Sequence, residues 1–183
     1  MSQAVDPESI RLLQLSVPNL RRLAAGDRIE LVALRIPEGA LPPSKTVGRA
    51  LRQLELGTPA LWCLPFLMVS TSRSTLLGAC GFKTAPVDGS VEISYGVAPT
   101  ERGRGVATIA LGQLLQLAAS SGLVQQVVAH IVPDNIASSK TVARLGFSAE
   151  GPQVDTDGEQ VMRWVWRTGD STSIGSNPLR GSG

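Results

Sequence analysis

The sequence predicts a mixed α/β domain around a mostly antiparallel sheet of about six to seven strands. Three observations carry this. An apolar, β-branched run from Val91 ends at Pro99, passes through Arg102-Gly103-Arg104-Gly105 and enters a long helical period. Upstream, strand-like runs at 62–70 and 76–83 are set off by turns at 70–75 and 84–89, so strands two, three and four form an antiparallel meander. Downstream, a buried-looking strand at 127–132 gives way to a short helix that ends at Leu145-Gly146-Phe147.

The elements follow in order. Ser9 to Leu15 is a first strand. Pro18 opens a helix that Gly26 stops, with proline near the start and glycine past the end. Asp27 to Leu34 continues as a second helical piece, 37–43 is a loop, and Val47 to Leu56 is a helix stopped by Gly57-Thr58-Pro59. Between Gly105 and Ser120, Ala107, Ala110, Leu111, Leu114 and Ala118 recur at helical spacing, and Gly122 ends the helix. A strand reaches about Gly151, a turn falls near Asp155-Thr156-Asp157-Gly158, and a last strand spans Gln160 to Arg167. Residues 1–168 read as one domain, and 169–183, rich in Gly, Ser and Pro, as a flexible tail.

Composition narrows the function classes. Hydrophobic content of 43% and charged content of 17% fit a globular domain, and a net charge of only +2 sets up no field for nucleic acid. Aromatic residues make up 4%, too few for a base-stacking surface. No apolar run spans a membrane and no signal peptide is read, so the expected location is the cytoplasm. Cys63 and Cys80 form no Cys-x-x-Cys pair and read as reduced core thiols; no metal is expected. His130, the lone histidine, sits in an apolar strand and reads as a core or strand-end residue.

The turn from Arg102 to Thr108 is suited to an anion. First-turn amides of a helix lack intrahelical partners and carry the positive end of the macrodipole. Gly103 and Gly105 let a ligand approach the backbone, and Arg102 and Arg104 add charge. Three readings stand side by side: a solvated basic turn, a dinucleotide fingerprint, and an acyl-coenzyme A pyrophosphate loop. The fingerprint's third glycine falls on Thr108, and no Gly-Lys-Ser/Thr follows for a P-loop. Arg102, Gly105 and Ala107 match Arg-x-x-Gly-x-Ala in register.

The order strand, Arg-x-x-Gly-x-Ala, helix, strand, Asn135-x-x-Ser138, helix, Leu-Gly-Phe resembles the GNAT superfamily of acetyl-CoA-dependent N-acetyltransferases. With Gly78-Ala79-Cys80-Gly81-Phe82 and Val91-Glu92-Ile93-Ser94-Tyr95-Gly96 upstream, it is similar to the ribosomal-protein N-terminal acetyltransferase branch. The resemblance covers residues 8–168 and is strongest over 76–147. It implies the GNAT fold, with parallel strands four and five splayed at their ends and helices on both faces. It also implies that backbone groups of Val97 and Pro99 pair with pantetheine. Gly103, Arg104, Gly105, Val106, Ala107 and Thr108 would cradle the pyrophosphate, together with Arg102. Asn135 would contact the pantetheine arm and Ser138 would lie beside the coenzyme sulfur; both also suit helix capping.

One departure bears on mechanism. Many members carry a tyrosine four residues before the glycine of Leu-Gly-Phe, where this chain has Val142; Tyr95, the only tyrosine, points away from Glu92 on the fourth strand. Glu92 is either a charged residue on a half-buried strand or a carboxylate that assists deprotonation through water. An α-ammonium, with a pKa near 7.8, gives up its proton more readily than a lysine near 10.4, so the site leans toward α-amines. The implied partners are acetyl-CoA and an amine acceptor, a peptide N-terminus or a small molecule, with the enzyme a monomer or homodimer. Small-molecule acetylation and a non-catalytic acyl-CoA-binding module remain the alternatives.

Overall fold

The structure is a computed structural model that describes residues 9–29, 31, 33–155 and 158–170. Seven strands form one sheet in the order β1-β2-β3-β4-β5-β7-β6. They are β1 (Ile10–Gln14), β2 (Phe66–Ser70), β3 (Thr75–Phe82), β4 (Ser90–Val97), β5 (Gln126–Ile131), β6 (Ser148–Val154) and β7 (Gln160–Arg167). The helices are α1 (Val17–Ala24), α2 (Ser44–Glu55), the single turn α3 (Ala60–Cys63), α4 (Val106–Ser120) and α5 (Ile136–Arg144).

Strands β2, β3 and β4 form the expected antiparallel meander. Among the strands of the described residues the parallel pair is β4 with β5, joined by α4, as a parallel crossover requires a long connection. Its register covers only Ser90↔Gln126, Val91↔Val127 and Glu92↔Val128. Past that rung, β4 stays with β3 as far as Val97↔Gly78. Over the same span β5 stays with β7 as far as Ile131↔Met162, so the two strands part and leave a slot. The β3–β4 approach is close at Gly78, which has no side chain to hold the strands apart. A Cβ on Gly78 would lie 2.2 Å from the Gly96 carbonyl oxygen.

Alternation on the strands sorts the core into two clusters. Val91 and Ile93 of β4 join Met68, Leu77 and the α4 residues Leu111 and Leu114 on one face of the sheet. On the other face Leu67 and Leu76 pack with Leu20 of α1 and Val47 of α2. Trp62 meets Phe82 with ring centroids 4.8 Å apart and a 56° tilt. Gln113 of α4 donates to the Ile10 carbonyl at 2.9 Å, tying the helix to the edge strand β1.

Two expected elements differ. Asp27 to Leu34 is not helical among its described residues; Arg35 instead forms a parallel bridge to Thr75. After one turn closed by the Leu34 amide on the Leu31 carbonyl at 3.0 Å, the Arg35 amide donates to Ser74 and its carbonyl accepts from Leu76, both at 2.9 Å, so the backbone joins the sheet margin. Trp62 and Cys63 lie in the turn α3 between Pro59 and Pro65, and the strand starts only at Phe66. Thr168–Asp170 makes a 3-10 turn; the rest of the expected tail lies outside the described residues.

Candidate active site

The slot between β4 and β5 opens into a cavity of about 430 Å³. Val97, Arg102, Gly103, Gly105, Val106, Ala107, Thr108, Asn135 and Ser138 all line it, bringing together nine of the residues picked out in the sequence. Gly105 is the N-cap of α4 in the left-handed region (φ 82°), and no side chain caps the helix. The first helical amide with a backbone partner is Ile109, which donates to the Gly105 carbonyl at 3.1 Å. The amides ahead of it face an anion-sized opening with the helix dipole behind them.

Pro99 and Arg104 are not among the lining residues. Pro99 starts a 3-10 turn, and its carbonyl takes the Arg102 amide at 3.5 Å. The Arg102 guanidinium donates through Nε to the Val97 carbonyl at 3.1 Å, so in this state that carbonyl is occupied. Arg104 turns to Glu101, 3.6 Å away. Glu101 is 3% exposed and also meets Arg73 at 2.8 Å and Arg35 at 3.5 Å. The Arg73 contact is an ion pair without hydrogen-bond alignment, which leaves Oε2 unsatisfied by that measure. This buried carboxylate, ringed by three guanidinium groups, anchors the loop from beneath. Sequence reading missed it because Arg35 and Arg73 are remote in the chain.

The far wall belongs to α5. Asn135 is its N-cap, and its Oδ1 accepts from the Ser138 amide at 3.1 Å, so capping and cavity lining coincide. Lys140, Thr141 and Arg144, on the same helix, also line the cavity and add cations that the motif search did not pick out. Tyr95 lines the slot as well, and its hydroxyl donates to the Ser138 carbonyl at 3.3 Å. Burial pushes the Tyr95 phenol above its ordinary value, and the contact with Ser138 partly offsets this.

Glu92 faces the opposite side of β4, as strand alternation requires. Ser94, on the same side, accepts from Arg49 of α2 at 3.3 Å. Glu92 pairs through one oxygen with both Lys83 Nζ and His130 Nδ1, the latter at 2.9 Å. Gln153 of β6 contacts the other imidazole nitrogen. Of the two readings, core or strand-end, His130 takes the second, as the penultimate residue of β5. Its ring is 16% exposed and held between β4 and β6. In sequence it had no visible partner, because Glu92, Gln153 and Lys83 come from three other parts of the chain.

Cys63 and Cys80 are free and buried. Burial raises the Cys63 thiol and pushes Cys80 up to about 12, so both are held as thiols. Among the described residues no group of His, Cys, Asp or Glu is placed to hold a metal ion, and no helix is long and apolar enough to cross a membrane.

Comparison with known proteins agrees with this geometry. The acetyltransferase (GNAT) domain family matches residues 19–148. Among solved structures, the chain is similar to Mycobacterium smegmatis RimJ in complex with CoA-disulfide (TM-score 0.58, 20% identity, 70% of this chain and 62% of that one). It is also similar to the ribosomal-protein-S5-alanine acetyltransferase of Vibrio fischeri (TM-score 0.65, 16% identity, 94% and 100% covered). A third similarity is to the dodecameric spermidine N-acetyltransferase of Vibrio cholerae (TM-score 0.63, 16% identity, 90% and 97% covered). No curated protein matches the chain in sequence. At these identities the structures speak for the fold, while the match over 19–148 covers most of the chain and assigns its family. A splayed parallel pair, a glycine-opened helix start beside it and the domain match lead to one conclusion: this chain belongs to the GNAT acetyltransferase family.

Proposed function

We propose that the enzyme moves an acetyl group from acetyl-CoA to a primary amine by direct attack, with the α-amine of a peptide or protein as acceptor. One observation carries this reading. The cavity at the β4–β5 slot is lined by the uncapped helix start at 105–108, and Glu92 and His130 lie on the other face of the same sheet beside the point where the two strands part, an arrangement that would let a thioester and an amine meet there. In this reading the turn 102–108 holds the pyrophosphate and Asn135 orders the pantetheine arm. Ser138 donates a hydrogen bond toward the departing sulfur. A thiol with a pKa near 8.5 leaves readily as thiolate, so a strong acid is not required.

Direct attack follows from what the thiols are. Both cysteines are buried and held protonated, so neither is suited to carry an acetyl group. Their reduced state fits a cytoplasmic enzyme, acting as a monomer or homodimer.

The acceptor side favours an uncharged or single amine over a polyamine. Around Glu92 stand Lys83, Arg49 and Arg163, while Glu38, Glu55, Asp155 and Glu159 are scattered and Asp157 lies outside the described residues. A polycation would find no concentrated negative field there. Radiolabelled acetyl-CoA with a mixed library of peptides, spermidine, amino acids and aminoglycosides tests this. Transfer to peptide N-termini is expected. Label on the small amines alone would move the enzyme to the small-molecule class, and binding without transfer would make it a coenzyme-binding module.

A further inference from the structure

Glu92 has a partner that changes which atom takes the proton. His130 is the first residue on its face of β5 beyond the last β4–β5 rung, Glu92↔Val128, so it stands where the strands have just parted. Its Nδ1 lies 2.9 Å from Glu92 Oε1. A carboxylate accepts, so Nδ1 carries the hydrogen and donates, which leaves Nε2 with the lone pair. The Gln153 amide nitrogen contacts that Nε2 and is the donor of the pair. The ring is thus held in the tautomer of a proton acceptor, with a neutral donor at the place an ammonium would take.

Resting on the acetyl-transfer reading above, we propose that His130 Nε2 accepts the proton of the incoming ammonium, with Glu92 as the positioning residue that fixes the ring. The acceptor R–NH₃⁺ replaces the Gln153 amide at Nε2 and gives up one proton, and the imidazole becomes imidazolium beside the Glu92 carboxylate. The neutral amine attacks the thioester carbonyl, and the C–N bond forms. The C–S bond breaks with its electron pair on sulfur. The remaining ammonium proton of the adduct passes to the thiolate by way of the Ser138 hydroxyl, and His130 returns its proton to solvent.

Magnitudes favour the imidazole over the carboxylate. Imidazole, at about 6.5, lies a little over one pKa unit below an α-ammonium near 7.8, whereas a glutamate at about 4.3 lies some three and a half below. Against a lysine near 10.4 even imidazole is about four units short. The dyad therefore deepens the preference for α-amines. The charged groups facing it are Glu92 from β4, Lys83 after β3 and Arg163 from β7, with Glu150 of β6 paired to Arg163. Arg49 of α2 reaches Ser94 on the same face.

The chain holds a single histidine, so the untagged protein can be read directly by proton NMR. Glu92→Gln is expected to move and broaden the Nδ1–H signal of the ring; an unmoved signal would overturn the dyad. On a peptide α-amine, His130→Gln is expected to cut kcat by about a hundredfold or more. It should also erase the rise in kcat through the imidazole range and leave acetyl-CoA affinity by calorimetry within twofold. Added imidazole should restore part of the rate of His130→Ala. A His130→Gln enzyme with wild-type kcat and pH profile would overturn this inference alone, since the wild type would still acetylate. Acetyl-CoA binding with no transfer by the wild type to any amine would overturn the transferase reading and this inference with it. If His130→Gln does not fold, the Nδ1–H signal of Glu92→Gln and modification of the wild-type histidine by diethyl pyrocarbonate decide. Loss of activity that acetyl-CoA plus peptide protects against supports the proposal, and full activity of the modified enzyme overturns it.

Discussion

The two ends of the slot are built from different materials. At the proposed coenzyme end, the loop 102–108 offers backbone: left-handed Gly103 and Gly105 (φ 74° and 82°) and amides at the start of α4. At the acceptor end, side chains from separate segments converge: Lys83 after β3, Glu92 of β4, His130 of β5 and Gln153 of β6. A backbone site is contiguous and carries its signature in adjacent residues. A side-chain site exists only once strands that are remote in the chain lie side by side.

The largest expected effect tests the acceptor end. Glu92→Gln should lower kcat ten- to a thousandfold while acetyl-CoA affinity barely changes, and raising the pH should recover part of the rate because more amine is then neutral. Combined with His130→Gln it should cost little more than either change alone, as groups acting as a unit are not additive. Steady-state kinetics of the four enzymes checks this. Independent, multiplying losses would mean that the two residues act apart.

Next is the coenzyme end. Gly105→Val is expected to weaken acetyl-CoA binding by more than tenfold in calorimetry. No protein atom lies within 4 Å of an added Cβ. The damage must therefore come from the left-handed backbone, at about 1–2 kcal/mol for an L-residue, and from the space the phosphates need. Unchanged affinity would break the contrast between the two ends, and a preference for NAD in the same cell would revive the dinucleotide reading.

Two smaller effects sharpen it on α5. Ser138→Ala should reduce kcat by less than Glu92→Gln, since a thiolate near pKa 8.5 departs with little help. A greater loss would move the chemistry toward the sulfur. Asn135→Ala removes the cap on the Ser138 amide and should cost about 1 kcal/mol of stability, seen in denaturant unfolding, with a modest rise in the KM for acetyl-CoA. Full retention of stability would mean that the asparagine serves the ligand alone.

The smallest effect is pH-dependent and sits in the core. Cys80, pushed to about 12 by burial from an ordinary value near 9, favours the folded state while it stays protonated. Its contribution is complete below pH 9 and is lost as the pH climbs toward the folded value. Cys80→Ala should flatten that alkaline decline in stability, and an unchanged slope would assign the decline to other groups.

Local order was legible wherever it rests on nearest neighbours. Pro18 and Gly26 bracket α1, the helical period and Gly105 define α4, and alternation on β4 separates Glu92 from Tyr95 before any coordinates are seen. The loop proposed to hold the coenzyme belongs here too, because glycine conformation and helix-start amides are properties of consecutive residues. Asp27 to Leu34 misled for the opposite reason: its apolar residues suit a helix, but bonds from Arg35 to Ser74 and Leu76 pull the backbone to the sheet. Only tertiary structure could bring Arg35 and Arg73 to Glu101, turn Arg104 away from the cavity, or set a histidine read as a core or strand-end residue against Glu92. Except for the Arg104–Glu101 pair, three positions apart, those contacts join residues tens of positions apart, and their geometry depends on sheet register and on where β4 and β5 part, which no local pattern encodes.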